Sequence, residues 1–133
     1  MKTKEFLSQA FHIDMAVKAK LFEVQRLNEL ARATSSVFSE TPRHKGQGSR
    51  VEEAVVRIVD LEDEIATDIS RLVDVKRRIS EAIKTVGDIQ CEAVLSMRYL
   101  SYMKWEEIAA EYDCGLDNIY HMHRKGLSLV RIQ

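Results

Sequence analysis

The clearest pattern along the chain is a seven-residue repeat of apolar positions that begins at Val51. One position of the repeat is apolar at Val51, Ile58, Ile65, Leu72, Ile79 and Val86. The interleaved position holds Ala54, Leu61, Val75, Ala82 and Ile89, and only Asp68 interrupts it. A sustained period of about 3.5 residues keeps one face of a helix turned towards a partner helix. The repeat therefore predicts a long coiled-coil helix that another helix must cover.

A second amphipathic helix is predicted nearer the N-terminus, from about Thr3 to Ala33. Its apolar residues follow steps of three and four: Leu7, Ala10, Phe11, Val17, Leu21, Val24, Leu27 and Ala31. Residues 34–50 contain the only proline together with glycines and serines, a composition typical of connecting segments, so we predict a linker there. The first helix can fold back across this linker onto the repeat as an antiparallel hairpin.

The long helix carries more apolar surface than the first helix can cover. An extra apolar edge, formed by Val55, Ile69 and Ile83, follows the main face of the repeat. The helices therefore pair within one chain or between two chains, and we expect a homodimer held through the long helix. Asp68 either sets the register of such an assembly or faces water.

Three shorter helices are predicted beyond Gly87 and Asp88, at residues 90–100, 104–112 and 116–130. Their length and spacing are typical of a helix-turn-helix unit, in which a short turn joins a supporting helix to a recognition helix. A plain helical corner is the alternative. The fold class is thus interpreted as all-α, with a long helical hairpin or coiled-coil region at 1–88 and a C-terminal tri-helical helix-turn-helix domain at 89–133.

The two faces of the last predicted helix differ in character. Its core face and that of the preceding helix are expected to hold Trp105, Ile108, Ala109, Tyr112, Ile119, Met122, Leu127 and Val130. Cys114 is expected to point inward from the turn, Gly115 to relieve the backbone there, and Gly126 to permit a close approach. The remaining residues form the candidate DNA-binding set: Leu116, Asp117, Asn118, Tyr120, His121, Arg124 and Lys125. Such side chains at the start of a helix can reach base edges, and cations further along can hold phosphate.

Composition and charge narrow the function classes. The chain has 133 residues and a net charge of -1, so its overall charge makes no case for nucleic-acid binding. The N-terminus has no apolar run long enough for a secretion signal or a membrane span, which predicts a cytoplasmic protein without a membrane partner. The two cysteines lack a CxxC spacing and are expected to be free thiols.

No motif of an enzyme or of a cofactor site is present in the sequence. A glycine-rich phosphate loop, a nucleophile elbow and an HExxH motif are all missing. Cys114, His121 and His123 resemble a zinc ligand set, but two histidines two positions apart on a helix point about 200° away from each other. We therefore predict no enzyme activity, no cofactor and no metal site.

Residues 104–127, KWEEIAAEYDCGLDNIYHMHRKGL, resemble the helix-turn-helix of region 4 of housekeeping sigma factors. The likeness runs without gaps through Glu106, Glu107 and Ile108. More widely, SETPRHKGQGSRVEEAVVRIVDLEDEI at 39–65, SRLVDVKRRISEAI at 70–83 and RYLSYMKWEEIA at 98–109 are similar to ArpU-like phage and prophage transcriptional regulators. In that family a long helical region precedes a sigma-like helix-turn-helix.

The resemblance implies a sequence-specific transcriptional regulator of late or lysis-related phage or prophage genes, bound to double-stranded DNA. By position, Leu116, Asp117 and His121 correspond to base-facing sites of the sigma helix, with Asn118, Arg124 and Lys125 beside them. Two departures are present in this chain. Leu116 stands where a sigma factor has a base-reading arginine, and Gly115 stands where it has a helix-capping hydroxyl.

Two other readings of the same helices remain open. In one, the sigma-like module binds RNA polymerase or another protein partner instead of DNA. In the other, the coiled-coil rod is a structural assembly element and the C-terminal helices are its cap. Five acidic residues near the candidate site weaken phosphate binding by one module: Glu106, Glu107, Glu111, Asp113 and Asp117. A dimer on two half-sites, or help from polymerase, would then be needed.

Overall fold

The computed structural model describes the backbone of residues 2–40 and 45–132 and the side chains of residues 2–33 and 49–132. All regular secondary structure in this part of the chain is helical, which confirms the all-α prediction. The helices are α1 (Thr3–Leu7), α2 (Gln9–Glu40), α3 (Lys45–Lys84), α4 (Ile89–Tyr99), α5 (Trp105–Tyr112) and α6 (Leu116–Leu129). None of the described helices is both long enough and apolar enough to cross a membrane.

The first predicted helix is interrupted at one residue. Ser8 separates α1 from α2, and its hydroxyl donates a 2.7 Å hydrogen bond to the carbonyl oxygen of Lys4. A serine that bonds to the backbone one turn earlier competes with the helical hydrogen bonds and often bends a helix. The sequence pattern missed this break because the apolar spacing continues unchanged across it.

The predicted linker at 34–50 is shorter than its composition indicated. The backbone is helical at 34–40 and again at 45–50, and the part of the prediction that falls on 41–44 lies outside the described residues. Glycine lowers helix stability by about 1 kcal/mol relative to alanine without preventing a helix. Gly46 and Gly48 therefore lie within α3 instead of ending it.

The chain divides into two compact units that differ from the predicted domains at 1–88 and 89–133. One unit comprises residues 14–70, and the other comprises residues 1–13 together with 71–133. The second unit joins both ends of the chain because α1, the start of α2 and the end of α3 share one apolar core with α4. A boundary drawn at the end of α3 could not anticipate this packing.

In the unit of residues 14–70, α2 and α3 run antiparallel. Lys20 Nζ lies 2.6 Å from Asp68 Oδ2, and Arg57 Nε lies 3.2 Å from Glu23 Oε1. The later residue of α2, Glu23, pairs with the earlier residue of α3, Arg57, as an antiparallel hairpin requires. Asp68, which interrupts the apolar repeat, therefore has a cationic partner on α2 instead of facing water alone.

The seven-residue repeat marks the covered face of α3 along its length. Both of its positions are buried or half-buried from Val51 to Val86. Ile89 is the exception, because it opens α4 and is 84% exposed, so its assignment to the covered face was wrong. The extra apolar edge of the long helix is only partly covered, because Ile83 is buried whereas Val55 and Ile69 are exposed.

The unit of residues 1–13 and 71–133 holds the larger core. Its buried residues come from α1, the first turn of α2, the end of α3 and α4, and include Phe6, Leu7, Ala10, Ile13, Val75, Ile79, Ala82, Ile83, Val86, Cys91, Leu95 and Tyr99. Cys91 is a buried free thiol, and Cys114 is a half-buried one. This core supports α4, against which α5 and α6 are packed.

Candidate nucleic-acid interface

Helices α4, α5 and α6 form the tri-helical arrangement that the sequence predicted, with bounds that agree to within one residue. A second core cluster joins them and consists of Val94, Ile108, Ala109 and Ile119. Val94, Ile108 and Ile119 are fully buried, one from each helix. Burying an aliphatic side chain stabilises a fold by about 1.5–3 kcal/mol, so these residues fix the angle between α5 and α6.

The start of α4 is capped by Asp88. Its carboxylate accepts hydrogen bonds from the backbone N–H groups of Gln90 and Cys91 at 3.0 and 3.1 Å. Lys125 Nζ lies 3.0 Å from the other carboxylate oxygen of Asp88. These contacts lower the pKa of Asp88 below its usual value. The hydrogen bond from the Cys91 backbone N–H makes the largest contribution, and the one from Lys125 makes the next largest. One carboxylate thus ties the start of α4 to the middle of α6.

The turn between α5 and α6 differs from the prediction in one respect. The residue with a left-handed backbone is Asp113, at φ 52°, where aspartate is tolerated better than most residues. Gly115 has an ordinary extended backbone at φ -76° and ψ 160°, so its predicted role in relieving the turn is wrong. The backbone N–H of Cys114 donates to the Ala109 carbonyl at 3.1 Å and closes the end of α5.

A cluster of aromatic side chains joins α4 and α6 at the first residue of α5. The Trp105 ring packs edge-on against His123, with centroids 4.6 Å apart, and against Tyr120, with centroids 5.5 Å apart. Arg98 Cζ lies 4.4 Å from the Trp105 centroid, a favourable cation–π distance. The Tyr99 hydroxyl lies 2.7 Å from His123 Nε2. This cluster anchors the start of α5 to α6.

His123 is a core residue that the sequence analysis treated only as a possible metal ligand. Its side chain is buried, and burial lowers the pKa of the imidazole to about 4, with smaller contributions from the charges of Lys4, Arg98 and Arg124. The spacing of apolar residues on α6 could not identify it, because histidine is polar. Its position four residues after Ile119 and three before Gly126, on the covered face of α6, was the available signal.

The close approach predicted at Gly126 is confirmed. A Cβ atom built on Gly126 would lie 3.0 Å from Leu95 Cδ1 and 3.4 Å from Cys91 Cβ. Both neighbours are buried in α4. Only the absence of a side chain at Gly126 therefore allows α6 to pack this closely against α4.

The predicted DNA-binding residues divide into three groups. The exposed residues on α6 include Leu116 at its first position, followed by Asp117, Asn118, His121 and Arg124. Tyr120 is half-buried because its ring packs against Trp105. Lys125 is exposed but paired with Asp88, which raises the pKa of the ammonium group.

The exposed face of α6 combines hydrogen-bonding groups with one unpaired cation. Asp117, His121 and Arg124 lie on one stripe, since they are four and three residues apart. Carboxylate, imidazole and guanidinium groups in this order can reach base edges at the helix start and a phosphate further along. The nearby exposed carboxylates oppose phosphate binding: Glu106, Glu107, Glu111, Asp113 and Asp117.

The same residues do not form a metal site. His121 is exposed, whereas His123 is buried against Tyr99 and Trp105. Among the residues that the structure describes, no group of three His, Cys, Asp or Glu side chains could hold a metal ion.

Comparison with protein-family models gives one match. The model for DUF1492, a family described as proteins of unknown function, matches residues 32–130. This range includes the end of α2 and the whole of α3, α4, α5 and α6. Neither the curated proteins nor the solved structures contain a match to the chain.

Proposed function

The chain belongs to the DUF1492 family of proteins of unknown function, and we propose that it is a sequence-specific DNA-binding transcriptional regulator. In this proposal α6 enters the major groove and α5 supports it. The observation that carries the proposal is the exposed stripe of Asp117, His121 and Arg124 on a helix whose opposite face is locked into a core. A rigid helix with unpaired polar groups on one face suits base readout.

The resemblance to ArpU-like regulators supports a more specific role. It favours action in the bacterial cytoplasm on late or lysis-related genes of a phage or prophage. Asp117 and His121 are the proposed base-reading residues, with Asn118 beside them. Arg124 is the proposed phosphate contact, since it is exposed and has no carboxylate partner among the described ion pairs.

The structure supports a smaller role for two of the candidate residues. Tyr120 packs on Trp105 and chiefly orients α6. Lys125 would have to leave Asp88 before it could bind phosphate, and Asp88 would then lose its cationic partner. Each phosphate contact adds to the salt dependence of binding, so few free cations mean weak binding by a single module.

A homodimer would compensate for this weakness by binding two half-sites. The unit of residues 14–70 leaves several large apolar side chains exposed: Leu21, Phe22, Leu30, Val55, Val56, Val59 and Ile69. Val55, Val56 and Val59 are neighbours on the surface of α3 because they are three and four residues apart, and exposed apolar clusters are typical of interaction sites. A second copy of the chain, packed through α3, is the proposed partner, which agrees with the extra apolar edge seen in the sequence.

The test is selection of duplexes from a random DNA library by the purified protein at near-physiological salt. An enriched motif with two half-sites about one helical turn apart would support both sequence-specific DNA binding and the homodimer. Arg124→Ala should weaken binding to all sequences and flatten its salt dependence. His121→Ala should relax the preference at one or two base pairs. Arg71→Ala, an exposed arginine on α3, is the matched control and should change neither.

Absence of any enriched motif with the folded protein would refute DNA readout and favour a structural assembly role for the helices. Sedimentation that shows a monomer well above about micromolar concentration would separately refute the dimer. The two results are independent, because a monomer can still select a single half-site.

Binding to RNA polymerase is a second candidate function, favoured by the exposed carboxylates around α5. Glu106, Glu107 and Glu111 are exposed on α5, and Asp113 and Asp117 continue this charge through the turn. An acidic surface repels DNA and attracts a basic protein surface. Capture of polymerase that survives nuclease treatment, and that is lost when these carboxylates are neutralised, would support this candidate.

A further inference from the structure

A cleft of about 430 Å³ lies in the unit of residues 1–13 and 71–133, away from the exposed face of α6. Residues of α1 and the first turn of α2 form one wall, and the segment that joins α4 to α5 forms the other. This volume falls within the range of about 300–1,000 Å³ that is typical of small-molecule sites. Neither the apolar repeat nor the helix-turn-helix explains it.

The charge of the cleft is one-sided. Lys4, His12, Arg98 and Lys104 line it, and no acidic residue does so among the residues that the structure describes. Lys4, Arg98 and Lys104 take part in no ion pair of the described chain, whereas other cations of the protein, such as Lys20, do. Their positive charge is therefore available to an anion that enters the cleft.

Arg98 is held in place by its neighbours. Its guanidinium lies over the Trp105 ring, and its Nη1 donates a 2.9 Å hydrogen bond to the Met103 carbonyl. A fixed guanidinium loses less conformational freedom on binding a ligand than a mobile lysine. Lys4 and Lys104 are both exposed at the rim, where they can reach an acidic group from either wall.

Aromatic rings form much of the remaining wall. Phe11 is 44% exposed and packs edge-on against Tyr102, with ring centroids 5.8 Å apart. Trp105 also lines the cleft. Tyr102 and Trp105 are half-buried. Aromatic rings beside cations favour a ligand that offers a flat ring for stacking and an acidic group for pairing.

The backbone of Tyr102 is a further sign of a specialised site. Its φ of 59° lies in the left-handed region, which bulky residues rarely occupy. Such strained residues persist where the surrounding structure holds them and are concentrated at ligand sites. Here the strained residue carries one of the rings that line the cleft.

We propose that this cleft binds a small aromatic anion, a planar ring that carries one acidic group. The ring lies against Phe11 and Tyr102, and the acidic group lies between Lys4 and Lys104. Two sources share this chemistry, the nucleoside monophosphates and the aromatic carboxylates. The site is distinct from the proposed DNA-reading face, and its test involves no DNA.

The experiment is a titration of the full chain followed by nuclear magnetic resonance and calorimetry. Trp105 is the only tryptophan, so its indole N–H gives one signal that reports on the cleft directly. The probes are adenosine monophosphate and 4-hydroxybenzoate, with adenosine and inorganic phosphate as partial ligands. At least one aromatic anion should saturate the Trp105 shift with a Kd below about 1 mM, and each partial ligand should bind at least about tenfold more weakly.

Variants distinguish the cleft from non-specific binding. Lys4→Gln combined with Lys104→Gln should raise the Kd about tenfold, because both cations face the acidic group. Lys84→Gln removes an exposed lysine outside the cleft and should leave the Kd unchanged. Phe11→Ala should weaken the aromatic anions but not inorganic phosphate. Unchanged melting temperatures would show that the variants remain folded.

A preference for adenosine monophosphate or for 4-hydroxybenzoate would identify the source of the ligand within the proposed class. Three results would overturn the proposal. These are no saturable shift with either aromatic anion up to about 10 mM, equal affinity of the double lysine variant, and inorganic phosphate that binds as tightly as the aromatic anions.

Discussion

Acidification should destabilise the protein through His123. The imidazole is buried in the core between α4 and α6, and its Nε2 lies 2.7 Å from the Tyr99 hydroxyl. Burial, aided by nearby cations, lowers its pKa from 6.5 to about 4 in the folded protein. A protonated His123 would therefore place an unpaired positive charge in this core, which is costly.

The direction and size of the effect follow from the two pKa values. Because the folded-state pKa is the lower one, the unfolded chain binds the proton more readily between these values. The stability associated with neutral His123 is fully present above about pH 6.5 and is lost as the pH falls towards 4. The difference amounts to about 3 kcal/mol in total, of which about 2 kcal/mol is lost between about pH 7 and about pH 5.

Urea denaturation at several pH values measures this loss in the parent protein and in His123→Gln. The variant keeps a hydrogen-bonding group near Tyr99 but does not titrate in this range, so its free energy of unfolding should fall less steeply with acidity. His121→Gln, which changes an exposed histidine on the same helix, should follow the parent. Equal pH dependence of the parent and His123→Gln, or a titration that places the pKa of His123 near 6.5, would refute the reasoning.

Other predictions concern the packing and capping of α4 and α6. Gly126→Ala should lower the free energy of unfolding by about 1 kcal/mol, because crowding against Leu95 outweighs the better helix propensity of alanine. Gly115→Ser should raise it by about 0.5 kcal/mol, since no atom lies within 4 Å of the added Cβ and serine caps a helix better than glycine. Chemical denaturation measures both changes in the free energy of unfolding. A gain for Gly126→Ala would contradict the packing argument, and a loss for Gly115→Ser would contradict the capping argument. Asp88→Ala should lower the melting temperature by several degrees, and by more than Lys125→Ala does, because only the Asp88 variant loses the cap of α4. Calorimetry measures both melting temperatures, and equal losses would assign the effect to the ion pair.

Periodicity made much of the fold predictable. The repeat from Val51 to Val86 identified the covered face of α3, since apolar positions spaced at the helical period must turn together towards a partner. The spacing also predicted α4, α5 and α6 to within one residue, because Gly87 and the short turn before α6 interrupt an otherwise helical pattern. The exposure of His121 and Arg124 followed from the same reasoning.

The same reasoning failed at the breaks between helices and where a residue distant in the sequence supplies the partner. Ile89 continues the repeat, yet it is exposed because α3 has already ended at Lys84. Gly115 was assigned the strained position of the turn, which Asp113 occupies instead. The partner of Lys125 was not predictable either, since Asp88 is 37 residues away in the sequence.

Hydrophobic periodicity predicts the all-α class, the covered face of the long helix and the tri-helical C-terminal arrangement, because it acts over neighbouring turns of one helix. Helix packing, in contrast, buries His123, pairs Lys20 with Asp68 and lets residues of α1 complete the core beneath α4. It alone also brought Lys4 to the same cleft as Lys104. The physical reason is that such contacts depend on how helices pack against one another, which the pattern along any single helix does not specify.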